Sequence, residues 1–128
     1  MITVSEVILI HDILIDKFGG THGIRDSGLI ESAISRPFQT FDKRELYPSI
    51  IQKAAALIES LVTNHPFIDG NKRIGYVIMR LYLLDKGYDI IANQDDKYDF
   101  VMKIAAGKVD FERICNWIEN HIQNRTRH

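Results

Sequence analysis

Hydrophobic positions recur along this chain at intervals of three and four, the spacing of a helix face rather than the alternation of a strand. Val4, Val7, Ile8, Ile15 and Phe18 share one stripe, opened by the capping-box pair Thr3 and Glu6 and closed by Gly19-Gly20. A short helix through Leu29, Ile30, Ala33 and Ile34 follows a cap at Asp26 or Ser27 and stops before Pro37. After a polar stretch from Gln39 to Tyr47, Pro48 suits the first turn of a third helix. It runs to about Asn64 and is striped by Ile50, Ala54, Leu57, Ile58 and Leu61. The fourth, from Lys72 to Lys86, is apolar on most sides, which predicts a buried central helix. Gly87 closes it. Asn93 caps a helix bearing Tyr98, Val101, Met102 and Ala105; Asp110 caps the last, with Phe111, Ile114, Cys115, Ile118 and Ile122 on one face. Six helices and no convincing strand predict an all-α fold whose largest surface features are the loops 19–26 and 64–71.

Composition narrows the class without naming a function. The 128 residues fit a single domain spanning 1–128, large enough to support its own core. Sixteen basic residues against seventeen acidic leave a net charge of -1, so the basic excess of a non-specific nucleic-acid binder is missing and no direct nucleic-acid partner is expected. The single Cys115 excludes an intramolecular disulfide and fits a reducing compartment. No run approaches the ~18 consecutive apolar residues of a membrane span. The start, MITVSEVILIHD, meets an acid where a signal peptide would continue apolar. A cytoplasmic protein with no membrane partner is the expectation.

The chemistry concentrates in one interruption, Asn64-His65-Pro66-Phe67-Ile68-Asp69-Gly70-Asn71-Lys72-Arg73. Asn71 is read as the N-cap of the fourth helix, which leaves the N–H groups of Lys72, Arg73 and Ile74 in its first turn without intrahelical acceptors. Such a helix end carries partial positive charge and aims donors outward. Gly70 permits a tight turn and close approach of a ligand to the backbone. Lys72 and Arg73 put two cations where the macrodipole disfavours them, and a bound polyphosphate supplies the reason. Asp69 offers a hard oxygen ligand beside the anion site, as Mg²⁺ held by a carboxylate and substrate phosphates requires. His65 is the residue type for general-base chemistry near neutral pH. Each has a bland reading taken singly: a solvated helix start, a structural histidine before proline, an Asp-Gly turn. Their convergence within nine residues favours phosphoryl-type transfer.

The string HPFIDGNKR closely resembles the signature of the Fic/Doc family, written HPFx(D/E)GNGR in Fic proteins and HxFxDxNKR in Doc toxins. Upstream, GGTHGIRDSGLIESAISRP is similar to the flap and helix of Doc-like proteins, so the resemblance covers most of residues 1–90. It implies an all-α Fic/Doc fold and a modifier of a protein hydroxyl. Position by position, His65 would take the proton from a target Ser or Thr, and Asp69 would hold Mg²⁺. Gly70 and Asn71 would form the anion hole, Lys72 and Arg73 would neutralise nucleotide phosphates, and Phe67 would pin the loop into the core. The AMP-transferring branch has Gly where Lys72 stands and Arg where Tyr76 stands. Both differences are those of the Doc branch, in which the nucleotide binds reversed and the γ-phosphate of ATP is transferred. The resemblance thus implies a toxin of a toxin–antitoxin pair acting on elongation factor Tu and arresting protein synthesis. Its partner would be an antitoxin whose C-terminal helix inhibits in trans.

Other positions carry lesser expectations. His11, on the first helix's stripe, reads as a satisfied core histidine or a support of the motif loop. His22 and the backbone around Gly23 are candidates for holding a target segment by strand-like pairing, as the family's flap does. Arg25 and Asp26 read as a cap and its ion pair, Gly75 as a close-packing position, Tyr76 as packing, and 123–128 as a solvated end. The competing functions are AMP transfer to a protein hydroxyl, a non-catalytic phosphate-binding module, and, more weakly, a metal-dependent nuclease using His65 and Asp69.

Overall fold

Side-chain oxygens set most of the helix starts. In the computed structural model, which describes residues 2–125, Thr3 and Glu6 form the predicted capping box on α1 (Val4–Phe18). Asp26 caps α2 (Ser27–Ser35), and a single 3-10 turn, Arg36–Phe38, carries the chain around Pro37. Ser49 caps α3 (Ile50–Asn64) and completes a second box with Gln52. Pro48 therefore stands just ahead of the helix instead of in its first turn; the Ser49 hydroxyl holds the cap position. After α4 (Asn71–Asp85), Asn93 caps α5 (Gln94–Ala105) and Asp110 caps α6 (Phe111–His121), both as predicted.

The fold is all-α, with two small ribbons that the hydrophobic pattern did not reveal. Thr40–Phe41 (β1) pairs antiparallel with Arg44–Glu45 (β2) across a turn at Asp42 and Lys43, both at positive φ. Two-residue strands exposed on both faces leave no alternation to read. Tyr88–Ile90 (β3) pairs with Ile122–Asn124 (β4), and Arg125 N–H donates to Gly87 O. Gln123 and Asn124 are thus strand residues where a solvated end is expected from the sequence; Thr126, Arg127 and His128 lie outside the described residues.

Two clusters form the core, and α3 and α4 contribute to both. Val7, Ile30, Leu61, Phe67, Ile74 and Ile78 join α1 and α2 to that pair. Ile58, Val62, Met79, Leu83, Phe100, Ile104, Ile114 and Ile118 join α5 and α6 to it. Nine of the fifteen α3 residues are buried. Helix α4 is central as predicted: Ile74, Gly75, Ile78, Met79 and Leu83 are buried, while Lys72 and Arg80 stay outside. A Cβ on Gly75 would stand 2.7 Å from Val62 Cγ2, so close approach of α3 and α4, not a ligand, accounts for that glycine. Phe18 departs from its expected core place. It is 60% exposed at the end of α1, and His11 takes the buried position between Val7 and Ile15. Cys115 is unpaired and half-buried, and burial pushes its thiol up to about 11, so it is not a reactive thiolate.

Candidate active site

The motif loop begins where α3 stops. His65 is in the left-handed region (φ 53°, ψ 59°), uncommon for a residue other than glycine and here held by its surroundings. Arg25 does the holding. Its Nε donates to His65 O and its Nη2 to Asn64 O, both at 2.6 Å, satisfying carbonyls that the end of α3 leaves without helical partners. Arg25 N–H and Asp26 N–H both donate to Pro66 O. Asp26 caps α2 as expected, whereas Arg25 turns to the motif and is not its ion-pair partner.

The His65 ring is exposed, and its Nδ1 lies 2.9 Å from Thr63 O. A carbonyl only accepts, so Nδ1 carries the proton of the neutral ring and Nε2 presents its lone pair. Phe67, two residues on, is 1% exposed and anchors the loop. Its ring stacks on His11 at 3.7 Å with an interplanar angle of 5°, and His11 Nε2 donates to Asp69 O at 2.7 Å. Both readings of His11 hold: it is a satisfied core histidine and a support of the motif loop.

Helix α4 starts one residue earlier than the sequence suggests. Gly70 (φ 78°) is its cap, and Asn71 is its first helical residue. The Asn71 amide is used elsewhere: it accepts from Phe67 N–H and donates to Phe67 O, both at 3.0 Å. Ile74 N–H bonds to Gly70 O, so the open donors are the N–H groups of Asn71, Lys72 and Arg73, without a side-chain cap. A Cβ on Gly70 would meet Ile15 Cδ1 at 3.1 Å and His11 Nε2 at 3.3 Å, so its position demands glycine in space as well as in φ.

Beside these donors, the Asp69 carboxylate accepts from Thr21 N–H (2.9 Å) and Gly70 N–H (2.8 Å). These bonds, with the charges of Arg73 and Lys72, hold it below the usual carboxylate range, so it is ionised at neutral pH. Its oxygens keep further lone pairs for a cation. Among the described residues no group of three or more His, Cys, Asp or Glu side chains is placed to hold a metal. A cation here would therefore draw its other ligands from phosphate oxygens and water, the habit of Mg²⁺.

Loop 19–26 lies along the whole motif. Thr21 reaches Asp69, Ile68 N–H donates to Gly23 O, Ile24 bridges antiparallel to Phe67, and Arg25 clamps His65. His22 faces α1, its Nε2 2.7 Å from Asp16 Oδ1 and its Nδ1 3.2 Å from Asp12 Oδ1. Hydrogen bonds to Asp16 and then Asp12 raise its pKa above the ordinary histidine value.

Asp69, Gly70, Asn71, Lys72 and Arg73 come together on one wall of a cleft of about 660 Å³ between α4 and α5. Arg73 donates to Gly19 O at 2.9 Å and lies over the Phe18 ring, which fixes its guanidinium on that wall. His65 stands at the other end of the loop, outside the residues lining the cleft. Thr21, Arg25 and Gly20 also shape the site, through contacts between residues far apart in sequence. A Cβ on Gly20 would come within 2.9 Å of Asp69 Oδ2, and its spacing from the motif gives no local signal.

The Fic/DOC family model matches residues 1–83, the span that contains α1 to α3, the flap, the motif loop and most of α4. The chain belongs to the Fic/Doc family. Similarity to curated proteins places it on the Doc branch. It is 35% identical over 100 residues, 77% of each chain, to a protein named Toxin Doc from Mycolicibacterium smegmatis. It is 25% identical over 115 residues, 90% of each chain, to Protein kinase doc of Escherichia phage P1. This Fic/Doc chain is accordingly a Doc-type toxin. Among the described residues no helix is long and apolar enough to cross a membrane.

Proposed function

We propose that this Doc-type toxin transfers the γ-phosphate of ATP to a Ser or Thr hydroxyl of a translation factor of the elongation factor Tu class, and so arrests protein synthesis. The observation that carries the proposal is a pairing on one short loop. At one end three unbonded N–H groups, Lys72, Arg73 and an ionised Asp69 gather on a cleft wall. At the other, Nδ1 of the exposed His65 ring donates to Thr63 O, so that Nε2 is the acceptor of the neutral ring.

In this reading the β- and γ-phosphates lie against the start of α4, where backbone donors, macrodipole and two cations act together. Asp69 would hold Mg²⁺, which when bound screens the phosphate charges and helps orient them. His65 Nε2 takes the proton of the target hydroxyl as its oxygen bonds to the γ-phosphorus. The bond from that phosphorus to the β,γ-bridging oxygen breaks, and ADP leaves with the negative charge facing the α4 terminus. Lys72 on the cleft wall, and Tyr76 where a second phosphate-binding Arg would be needed for nucleotidyl transfer, support γ-phosphoryl transfer. Arg80 does not replace that clamp, because Asp89 holds it in a two-bond pair at 2.7 and 2.9 Å.

The target segment runs beside the flap. Gly23 O and Arg25 N–H bond inward to the motif loop, so the intervening Ile24 turns its N–H and C=O to the opposite side. That edge accepts an extended segment by strand addition. Inhibition comes from an antitoxin helix in trans, for which the groove of about 370 Å³ walled by Ile10, Ile34, Phe38, Leu81 and Tyr82 offers an apolar seat. The activity belongs to the cytoplasm, where ATP and translation factors are found.

Induction of the wild-type chain in a bacterial host without its antitoxin is expected to stop growth. His65→Ala, expressed to the same soluble level, is expected to leave growth intact. Growth arrest by that variant would overturn the role given to His65 and the transfer mechanism with it.

A further inference from the structure

One peptide in the motif loop is held differently from its neighbours. Phe67 is tied through both backbone groups by Asn71, Ile68 N–H reaches Gly23 O, and Gly70 O accepts from Ile74 N–H. Between these fixed points lies the Asp69–Gly70 peptide. Its C=O turns inward to His11 Nε2 at 2.7 Å, and its N–H turns outward to Asp69 Oδ1 at 2.8 Å. The two groups share one plane and point in opposite directions, so each bond fixes the other. Sterics do not set that plane. Reversing it would carry Gly70 from φ 78° to the negative side, and glycine occupies both sides about equally. The reversed plane would aim a carbonyl at the Asp69 carboxylate, beside the donors that start α4. It would also remove one of the two N–H groups that hold that carboxylate. The outward bond competes with water, whereas the inward one comes from a histidine that is 1% exposed. That ring lies flat on Phe67, so its donor cannot swing away. The lock on the plane is His11.

We propose that His11 is a positioning residue for polyphosphate and Mg²⁺: its Nε2–H locks the Asp69–Gly70 peptide so that a carboxylate, and not a carbonyl, is presented to the cleft. This role rests on the reading that Asp69 and the start of α4 hold Mg²⁺ and phosphate. It gives the histidine a task beyond filling the core, since packing on Phe67 needs a ring but no donor.

Two substitutions in the full chain separate the donor from the ring. Glutamine offers an amide N–H in place of Nε2 and no ring, while phenylalanine offers the ring and no donor. Isothermal titration with Mg²⁺ and inorganic tripolyphosphate should give His11→Gln an affinity close to wild type. His11→Phe should bind about three- to tenfold more weakly, the scale of one hydrogen bond. Packing alone predicts the reverse order, because Phe keeps the stack on Phe67 and Gln gives it up. NMR of the ligand-free proteins reads the plane itself. The Asp69 carbonyl-carbon shift should move in His11→Phe and stay near the wild-type value in His11→Gln. Circular dichroism checks the fold, and His11→Met is a second donor-free variant should His11→Phe not fold. Wild-type affinity in the donor-free variant, or weaker binding by His11→Gln than by His11→Phe, overturns the positioning role and leaves the phosphate site standing. Failure of wild type to bind tripolyphosphate overturns the phosphate reading, and the carbonyl shift still decides the lock.

Discussion

The Asn71 side chain closes a ring with the backbone of Phe67, accepting from its N–H and donating to its C=O. Both groups are buried, so their alternative partner is not water. Asn71→Ala should therefore destabilise the fold by about 1–3 kcal/mol for each group left unpaired. Urea denaturation of the two proteins reads this directly, and an unchanged midpoint would contradict it. The same side chain explains why the helix start was legible only in outline. Asn is a favoured cap, but here its amide is drawn four residues back, and Gly70 takes the cap because it alone tolerates φ 78° against Ile15 and His11. Local preference named the right residue for the loop and the wrong atom for its partner. Asp69 was legible as a carboxylate beside an anion site. What depresses its pKa, a bond from Thr21 forty-eight residues away, was not. Because its folded pKa lies below 3.8, the stability from these bonds is full above that value and is lost as pH falls through the lower folded one.

At the level of elements, the flap and the end of α3 form one device for placing His65. Arg25 reaches two carbonyls at once, which needs the fork of a guanidinium. Arg25→Ala is expected to lower the transfer rate by about tenfold to a hundredfold through misplacement of the base. ATP affinity should stay at the wild-type value, and Arg25→Lys should not restore the rate. Loss of ATP binding in parallel would point to general damage instead. His22 ties the other side of the flap to Asp12 and Asp16 of α1, and Asp12 also lies 3.9 Å from the His11 ring. Its pKa is raised, so the tie is complete below 6.5, the ordinary histidine value, and loosens as pH rises through the higher folded value. NMR titration of the ring should show a midpoint above 6.5 that falls toward it in Asp16→Asn, because the bond to Asp16 raises the pKa more than the bond to Asp12 does. A midpoint unmoved by that substitution would remove the tie.

For the whole molecule, the helices were readable because capping boxes and the 3.6 period are written within a few neighbouring residues. The ribbons were not, since β3 and β4 are three residues each and meet only when Tyr88 comes opposite Asn124. The motif string followed the same rule. HPFIDGNKR carried its residues and their chemistry openly, while Arg25 and Gly20 reach the motif only through folding. The central claim is that this architecture moves a γ-phosphate. Its most direct measurement is a paired labelling assay with purified protein, Mg²⁺, a bacterial lysate, and ATP labelled at either the γ- or the α-phosphate. The account predicts a protein band carrying γ-label alone and absent with His65→Ala. A band carrying α-label would contradict it and make the protein a nucleotidyl transferase, and transfer of neither label would leave only a phosphate-binding module.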